Sequence, residues 1–175
     1  MIFNRGNKII NTSFYVNGEL IENVKSFTYQ GFKISSKNCS FQPMLTDVSI
    51  KAKRAIFAIK RKIKLSRLPI KVALKIFVTL ITPILLYGSE VWGPFTMLDY
   101  KSWDISIIER VHTQFLKQLL GCAFQSSNDM IRAEIGNRPL IISVITRYLS
   151  IIQNIQVKKT ALCFDALMFE SESLI

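Results

Sequence analysis

Ten basic side chains crowd one stretch of this chain: Lys51, Lys53, Arg54, Lys60, Arg61, Lys62, Lys64, Arg67, Lys71 and Lys75, out of 23 Lys and Arg in all. No Asp or Glu occurs between Asp47 and Glu90. The chemistry open to such a run is electrostatic. On a helix, cations on successive turns recur about every 5.4 Å, close to the spacing of phosphates along a strand. Each phosphate neutralised releases condensed counterions, so contacts of this kind are favourable and sensitive to salt. Phe57 falls among these charges and could press on a sugar or base face. An ordinary solvated face mixes signs, and this one does not, which favours a polyanionic partner.

The other groups able to do chemistry are scattered. His112 is the single histidine, at helical spacing among Ile105, Ile108, Val111, Phe115 and Leu119, and reads as a satisfied core residue. The 12 acidic residues are dispersed with no two adjacent, whereas two-cation phosphoryl transfer needs carboxylates in a cluster. Glu109 and Glu134 stand alone among basic and apolar neighbours, and Glu134 with Arg138 reads as an ion pair or a cap. Ser89 and Ser143 have no base at a suggestive spacing. Cys39, Cys122 and Cys163 are odd in number and far apart, with no ligand spacing for zinc. Reduced, buried thiols in an intracellular protein, nuclear or cytoplasmic, are the expectation. No catalytic residue, metal or cofactor site is expected.

Composition sets the frame for these groups. A net charge of +11 favours nucleic acid or an anionic membrane surface. An apolar share of 49% is enough for a core and argues against wholesale disorder. Met1-Ile2-Phe3-Asn4-Arg5 lacks the pattern of a signal peptide, so secretion is not expected. It reads as a strand, so the chain is expected to begin inside a domain.

The elements that must position the basic run follow from pattern. Residues 1–40 read as β-rich, with short apolar runs at Ile2-Phe3 and Phe14-Tyr15-Val16. Asn17-Gly18 is a hairpin signal and Glu19-Leu20-Ile21 the return strand. Lys25 to Ile34 reads as a third strand with a bulge or bend at Gly31. Residues 41–175 read as helical. Thr46 or Asp47 is expected to cap a helix running to about Lys64. Its core stripe would be Val48, Ala52, Ala55, Ile56, Ile59 and Ile63, with the basic arc opposite. Pro69 opens a second helix to about Leu86, apolar almost all round and kinked by Pro83. Tyr87 to Ser102 reads as a loop, with Trp92 and Trp103 as anchors. Helices follow from Asp104 to Leu120, from Ser127 to Ile135 and from Pro139 to about Met168. The predicted class is α+β: a small antiparallel hairpin region, then a helical bundle. The apolar stretch Val72 to Gly88 contains Lys75 and Pro83 and falls short of the roughly 20 apolar residues a spanning helix needs.

Several segments also resemble one family. Phe27-Thr28-Tyr29-Gln30-Gly31 is similar to the F-x-Y-L-G strand near the palm end of non-LTR (LINE-like) retrotransposon reverse transcriptases, with Gln30 where Leu is usual. Pro83-Ile84-Leu85-Leu86-Tyr87-Gly88-Ser89-Glu90-Val91-Trp92 resembles that family's P-x-L-x-Y-G-x-E-x-W motif. Val111 to Lys117 resembles its h-x-x-F-L-K helix, followed by Leu120-Gly121. Ala133-Glu134-Ile135-Gly136-Asn137-Arg138-Pro139-Leu140 resembles its A-E-L-G-x-x-P-L segment. The matches come in family order and span about Phe3 to Leu149.

The resemblance implies a palm end at residues 1–40, then a thumb and connector at 41–175. In that family the thumb holds the template–primer duplex while the palm does the chemistry with Mg2+. The paired aspartates of the F-A-D-D-type motif do not occur here, nor do the endonuclease or the Cys/His-rich segment. The expected function is therefore a non-catalytic grip on RNA or DNA duplex through phosphates, partnered by a palm and fingers. Lys51, Lys53, Arg54, Phe57, Lys60, Arg61, Lys62, Lys64, Arg67 and Lys71 would form its surface. Two other readings stay open: a basic module on a membrane surface, and a non-functional remnant that folds poorly without its palm.

Overall fold

A computed structural model describes residues 13–36, 41–64, 67–96 and 99–158, with side chains as far as residue 156. The expected strand at Ile2-Phe3, the helix beyond Lys158, Cys39 and Cys163 lie outside the described residues. The architecture is α+β, with two antiparallel hairpins followed by helices. The described residues divide into two compact units, 13–87 with 117–124 and 88–116 with 125–158.

In the first unit, strand β1 (Phe14–Val16) pairs with β2 (Glu19–Ile21) across Asn17-Gly18. Both turn residues take positive φ, 52° and 84°, which is the twist a two-residue hairpin needs. All six strand residues are exposed. The expected third strand is a second hairpin instead: β3 (Ser26–Tyr29) turns back into β4 (Phe32–Ser35). The bend expected at Gly31 is a full reversal, with Gln30 at φ 47° and Gly31 at 81°. Tyr87 Oη donates to the Gln30 carbonyl at 2.5 Å, and the Tyr87 ring lies alongside Gly31. That contact helps hold a non-glycine residue in a conformation it seldom adopts.

Helix α1 (Gln42–Lys62) starts earlier than expected, at Pro43 in its first turn. Thr46 and Asp47 are therefore interior: Thr46 Oγ1 bonds back to the Gln42 carbonyl and Asp47 pairs with Lys51. Met44, Leu45, Val48, Ser49 and Ala52 are buried. Strand β4 lies against this end, where the Lys33 amide points at Met44 Sδ and Phe32 meets Phe41 edge-on. Ala55, Ile56 and Ile59 are half-buried and Ile63 is exposed, so the expected stripe fades toward the C-terminus.

The second predicted helix is α2 (Ile70–Ile76), a π-helical turn (Phe77–Ile81) and α3 (Thr82–Leu85). Pro83 has no amide hydrogen, and its ring crowds the preceding turn. The widened turn just ahead takes up that conflict, and the Thr82 amide reaches back to the Phe77 carbonyl. Ala73, Phe77, Ile81 and Leu85 are buried, whereas Ile70, Val72, Val78 and Leu80 are exposed. The helix is thus covered on one side and not all round. Among the described residues, no helix is long and apolar enough to cross a membrane.

In the second unit, the expected loop contains two short helices, α4 (Ser89–Trp92) and α5 (Tyr100–Asp104). Asp99 caps α5 by accepting from the Lys101 and Ser102 amides, and these bonds hold its carboxyl below the usual range. Trp92 and Trp103 are both buried and stack 6.4 Å apart, with 10° between their planes. Helix α6 (Ile107–Leu120) follows, its last turn belonging to the first unit, then α7 (Asn128–Ile135) and α8 (Leu140–Lys158). Cys122 is exposed, contrary to the buried thiol expected, because it follows Gly121 in the turn that ends α6.

Gly93 sets the approach of α4 to α8. A β-carbon there would come within 2.4 Å of the Ser89 carbonyl oxygen and 2.7 Å of Val144 Cγ1. Gly93→Ala is therefore expected to cost about 1–3 kcal/mol by overpacking. Urea titration followed by tryptophan fluorescence checks this, and an unchanged midpoint would contradict it.

Candidate nucleic-acid interface

Helix α1 does two jobs along its length. One face of its first half is buried, and its outward face, from Ile50 and Lys51 onward, is where the charge lies. Lys51, Lys53, Arg54, Lys60, Arg61 and Lys62 are all exposed. The helix ends at Lys62, so Lys64 and Arg67 fall in the connection that follows, joined by the Arg67 amide on the Lys64 carbonyl. Lys71 lies in the first turn of α2. All three are exposed too. The ten predicted site residues thus span α1, the connection and the start of α2, all within the first unit.

Few of these charges are answered within the chain. Lys51 pairs with Asp47 at 2.7 Å, and Lys60 Nζ bonds Gln118 Oε1. Among the described residues, no carboxylate lies within 4.0 Å of Lys53, Arg54, Arg61, Lys62, Lys64, Arg67 or Lys71. Part of the pattern has a local cause. Lys60, Arg61 and Lys62 occupy the last turn of α1, where cations meet the negative end of the helix dipole. That effect is worth roughly 0.3–1 kcal/mol and dies out within one turn. It does not account for Lys51, Lys53 and Arg54, which lie more than a turn earlier. Phe57 sits among the cations with 64% of its surface exposed, and Ile50 is also exposed.

The second unit holds the best-connected polar cluster, centred on a residue that stands alone in the sequence. Glu109 is fully buried. Its Oε1 accepts from His112 Nδ1 at 2.8 Å and from Arg132 at 3.1 Å. Its Oε2 accepts from the Trp103 indole at 2.7 Å and from the Leu140 amide at 3.0 Å. Burial would raise the Glu109 pKa. The His112 hydrogen bond and charge, the indole bond and the Arg132 charge outweigh it, so the carboxyl sits below its usual value.

Arg132 in turn reaches Asp104, Asp129 and the Tyr100 hydroxyl. Burial opposes its charge, and the Asp104 bond with the nearby carboxylates more than restores it. His112 Nε2 faces Asn137 Nδ2 at 3.3 Å, so the ring is held from both sides, as expected of a core histidine. Each Glu109 oxygen already accepts two hydrogen bonds. The cluster ties α5, α6, α7 and α8 together through one carboxylate.

The remaining candidates separate. Glu134 and Arg138 are exposed and form no ion pair with each other, because Gly136 ends the helix between them. Ser89 is buried with its hydroxyl unbonded. The signal for Glu109 is present in the sequence as Glu109-x-x-His112, two polar groups on one helix face, with an indole nearby that must find an acceptor when buried. No family model matches the chain, and neither does any curated protein or solved structure.

The Glu109 cluster makes acid stability measurable. Glu109→Gln leaves Arg132 short of a buried counter-charge and is expected to cost about 3–5 kcal/mol at pH 7. A lowered folded pKa means that ionised Glu109 stabilises above its unfolded value, about 4.3. That stabilisation is lost as pH falls through the folded value. The gap between wild type and Glu109→Gln should therefore narrow below about pH 4. Denaturant titrations at neutral and acid pH test this; a gap that stays constant would be the contrary result.

Proposed function

We propose that this chain is the backbone-gripping, thumb-like part of a non-LTR retrotransposon reverse transcriptase, without a polymerase site of its own. The observation that carries the reading is the exposed half of α1. It presents cations of one sign, largely unanswered by carboxylates, from a helix whose other half is anchored in a core. A surface so built holds phosphates without choosing sequence. Anchoring matters because a positioned cation loses little freedom on binding, whereas a basic tail must be ordered first.

Residues of the resembling motifs occupy junctions in the fold, which supports the same reading. Gln30-Gly31 meets Tyr87, joining two motif segments within the first unit. Lys117 is buried, and its Nζ donates to the Phe124 carbonyl beyond the end of α6. In the second unit the amide of Leu140, which closes the last motif, bonds Glu109. The expected partners are an RNA or DNA duplex and the palm and fingers of the polymerase. Mg2+ in that family belongs to the palm; among the described residues, no group of three His, Cys, Asp or Glu side chains could hold a metal ion.

A second reading has one observation in its favour. Ile70, Val72, Val78 and Leu80 are exposed on the helix that carries Lys71 and Lys75, as on a helix lying in an anionic membrane surface. Flotation with vesicles containing phosphatidylserine separates the two.

For the nucleic-acid reading, the triple reversal Lys60→Glu, Arg61→Glu, Lys64→Glu is expected to weaken binding to a short B-form duplex. The slope of log affinity against log salt should flatten by roughly 0.9 for each phosphate that is no longer neutralised. Fluorescence anisotropy across a salt series measures both. Unchanged duplex affinity, or binding to vesicles alone, would refute the reading.

A further inference from the structure

The exposed half of α1 has an apolar crest between its charges. At about 100° per residue, Ile50 and Phe57 lie almost on one line along the helix, about 10.5 Å apart in rise. Arg61 and Arg54 stand about 40–60° to one side of Phe57, and Lys53 and Lys60 about as far to the other. All six belong to α1 and all are exposed, Phe57 by 64% and Ile50 by 43%.

Charge for solubility gains nothing from a phenyl ring at its crest. A protein partner closing over Phe57 would also have to desolvate the cations on both flanks. Arg54, Arg61 and Lys53 have no carboxylate within reach among the described residues, so the chain itself does not offset that cost. A nucleic-acid strand satisfies both features at once. Its phosphates answer the cations, and an unpaired base offers a flat apolar face to the ring. A continuous duplex cannot offer such a face, because its bases are stacked on one another.

We infer that this surface is built for nucleic acid with unpaired bases, such as a single-stranded tail beside a duplex. Phe57 is its stacking platform, and the Arg and Lys rows hold the backbone on either side. The inference rests on the nucleic-acid reading above and goes further, by naming which form of nucleic acid is preferred.

Two labelled DNA hairpins test it, one blunt and one extended by a tail of about eight nucleotides, within the site size of a small single-strand-binding fold. The intact chain is expected to bind the tailed hairpin more tightly. Phe57→Ala should weaken binding to the tailed hairpin by about 5- to 150-fold, the range for loss of one stacked base. Binding of the blunt hairpin should weaken much less than that of the tailed one, and Phe57→Trp should retain the preference. A 2-aminopurine in the tail should change its emission on binding wild type and lose that change with Phe57→Ala. Equal binding of both hairpins by wild type, or equal weakening of both by Phe57→Ala, overturns the inference while the broader reading stands. If the triple reversal binds both hairpins as tightly as wild type, the broader reading itself falls.

Discussion

A carboxylate taken out of water must find its hydrogen bonds in the protein, or it gives up its charge. Glu109 finds them in four places: an indole on α5, an imidazole one turn along α6, a guanidinium on α7 and the first amide of α8. Each partner is fixed by a different helix, so the second unit depends on that one side chain reaching all of them. The stacked pair Trp92 and Trp103 lines the same interior, and the Trp103 indole belongs to both arrangements. The bonds outweigh the burial that opposes the charge, which is why the carboxyl lies below its usual range rather than above it.

The first unit solves a different problem with one helix. Met44, Leu45, Val48 and Ala52 give α1 its hold on the core, and the turns beyond them are released to solvent. Charge repulsion along the exposed half is tolerated because the buried half resists it. Each part needs the other. Without the anchor the cations would belong to an unordered tail, and without the cations the helix would only brace β4 and α3.

Periodicity makes the basic arc of α1 legible, since seven-residue repeats of Lys and Arg need only local geometry to be placed. The Asn17-Gly18 hairpin is legible for the same reason, because its turn chemistry is contained in two residues. The second hairpin is not. Gln30 seldom takes positive φ, and the tyrosine that helps hold its carbonyl is far away in sequence. The start of α1 is hidden because Thr46, a good capping residue by type, bonds backward within the helix instead. Glu109 passes for an isolated acid because its partners lie between 3 and 31 residues away and no short window contains them. Whether Phe57 meets a core or the solvent is likewise beyond its neighbours in sequence, because it depends on where the cover of α1 stops.

The π-helical turn at Phe77–Ile81 leaves the chain with a fixed rotational phase. Buried Ala73, Phe77, Ile81 and Leu85 are spaced by four, and in an unbroken α-helix such a row would drift by about 40° at each step. The wider turn takes back part of that drift and keeps the row on one side. The segment therefore carries, in effect, one residue more than a regular helix would need to reach the same heading. Removing one residue there would relax the turn to a regular helix and keep nearly the same heading, whereas adding a residue would swing everything after it by about 100°. Length changes other than that single deletion should accordingly be tolerated far less well between Phe77 and Pro83 than in the connection between α1 and α2, where no such phase has to be kept.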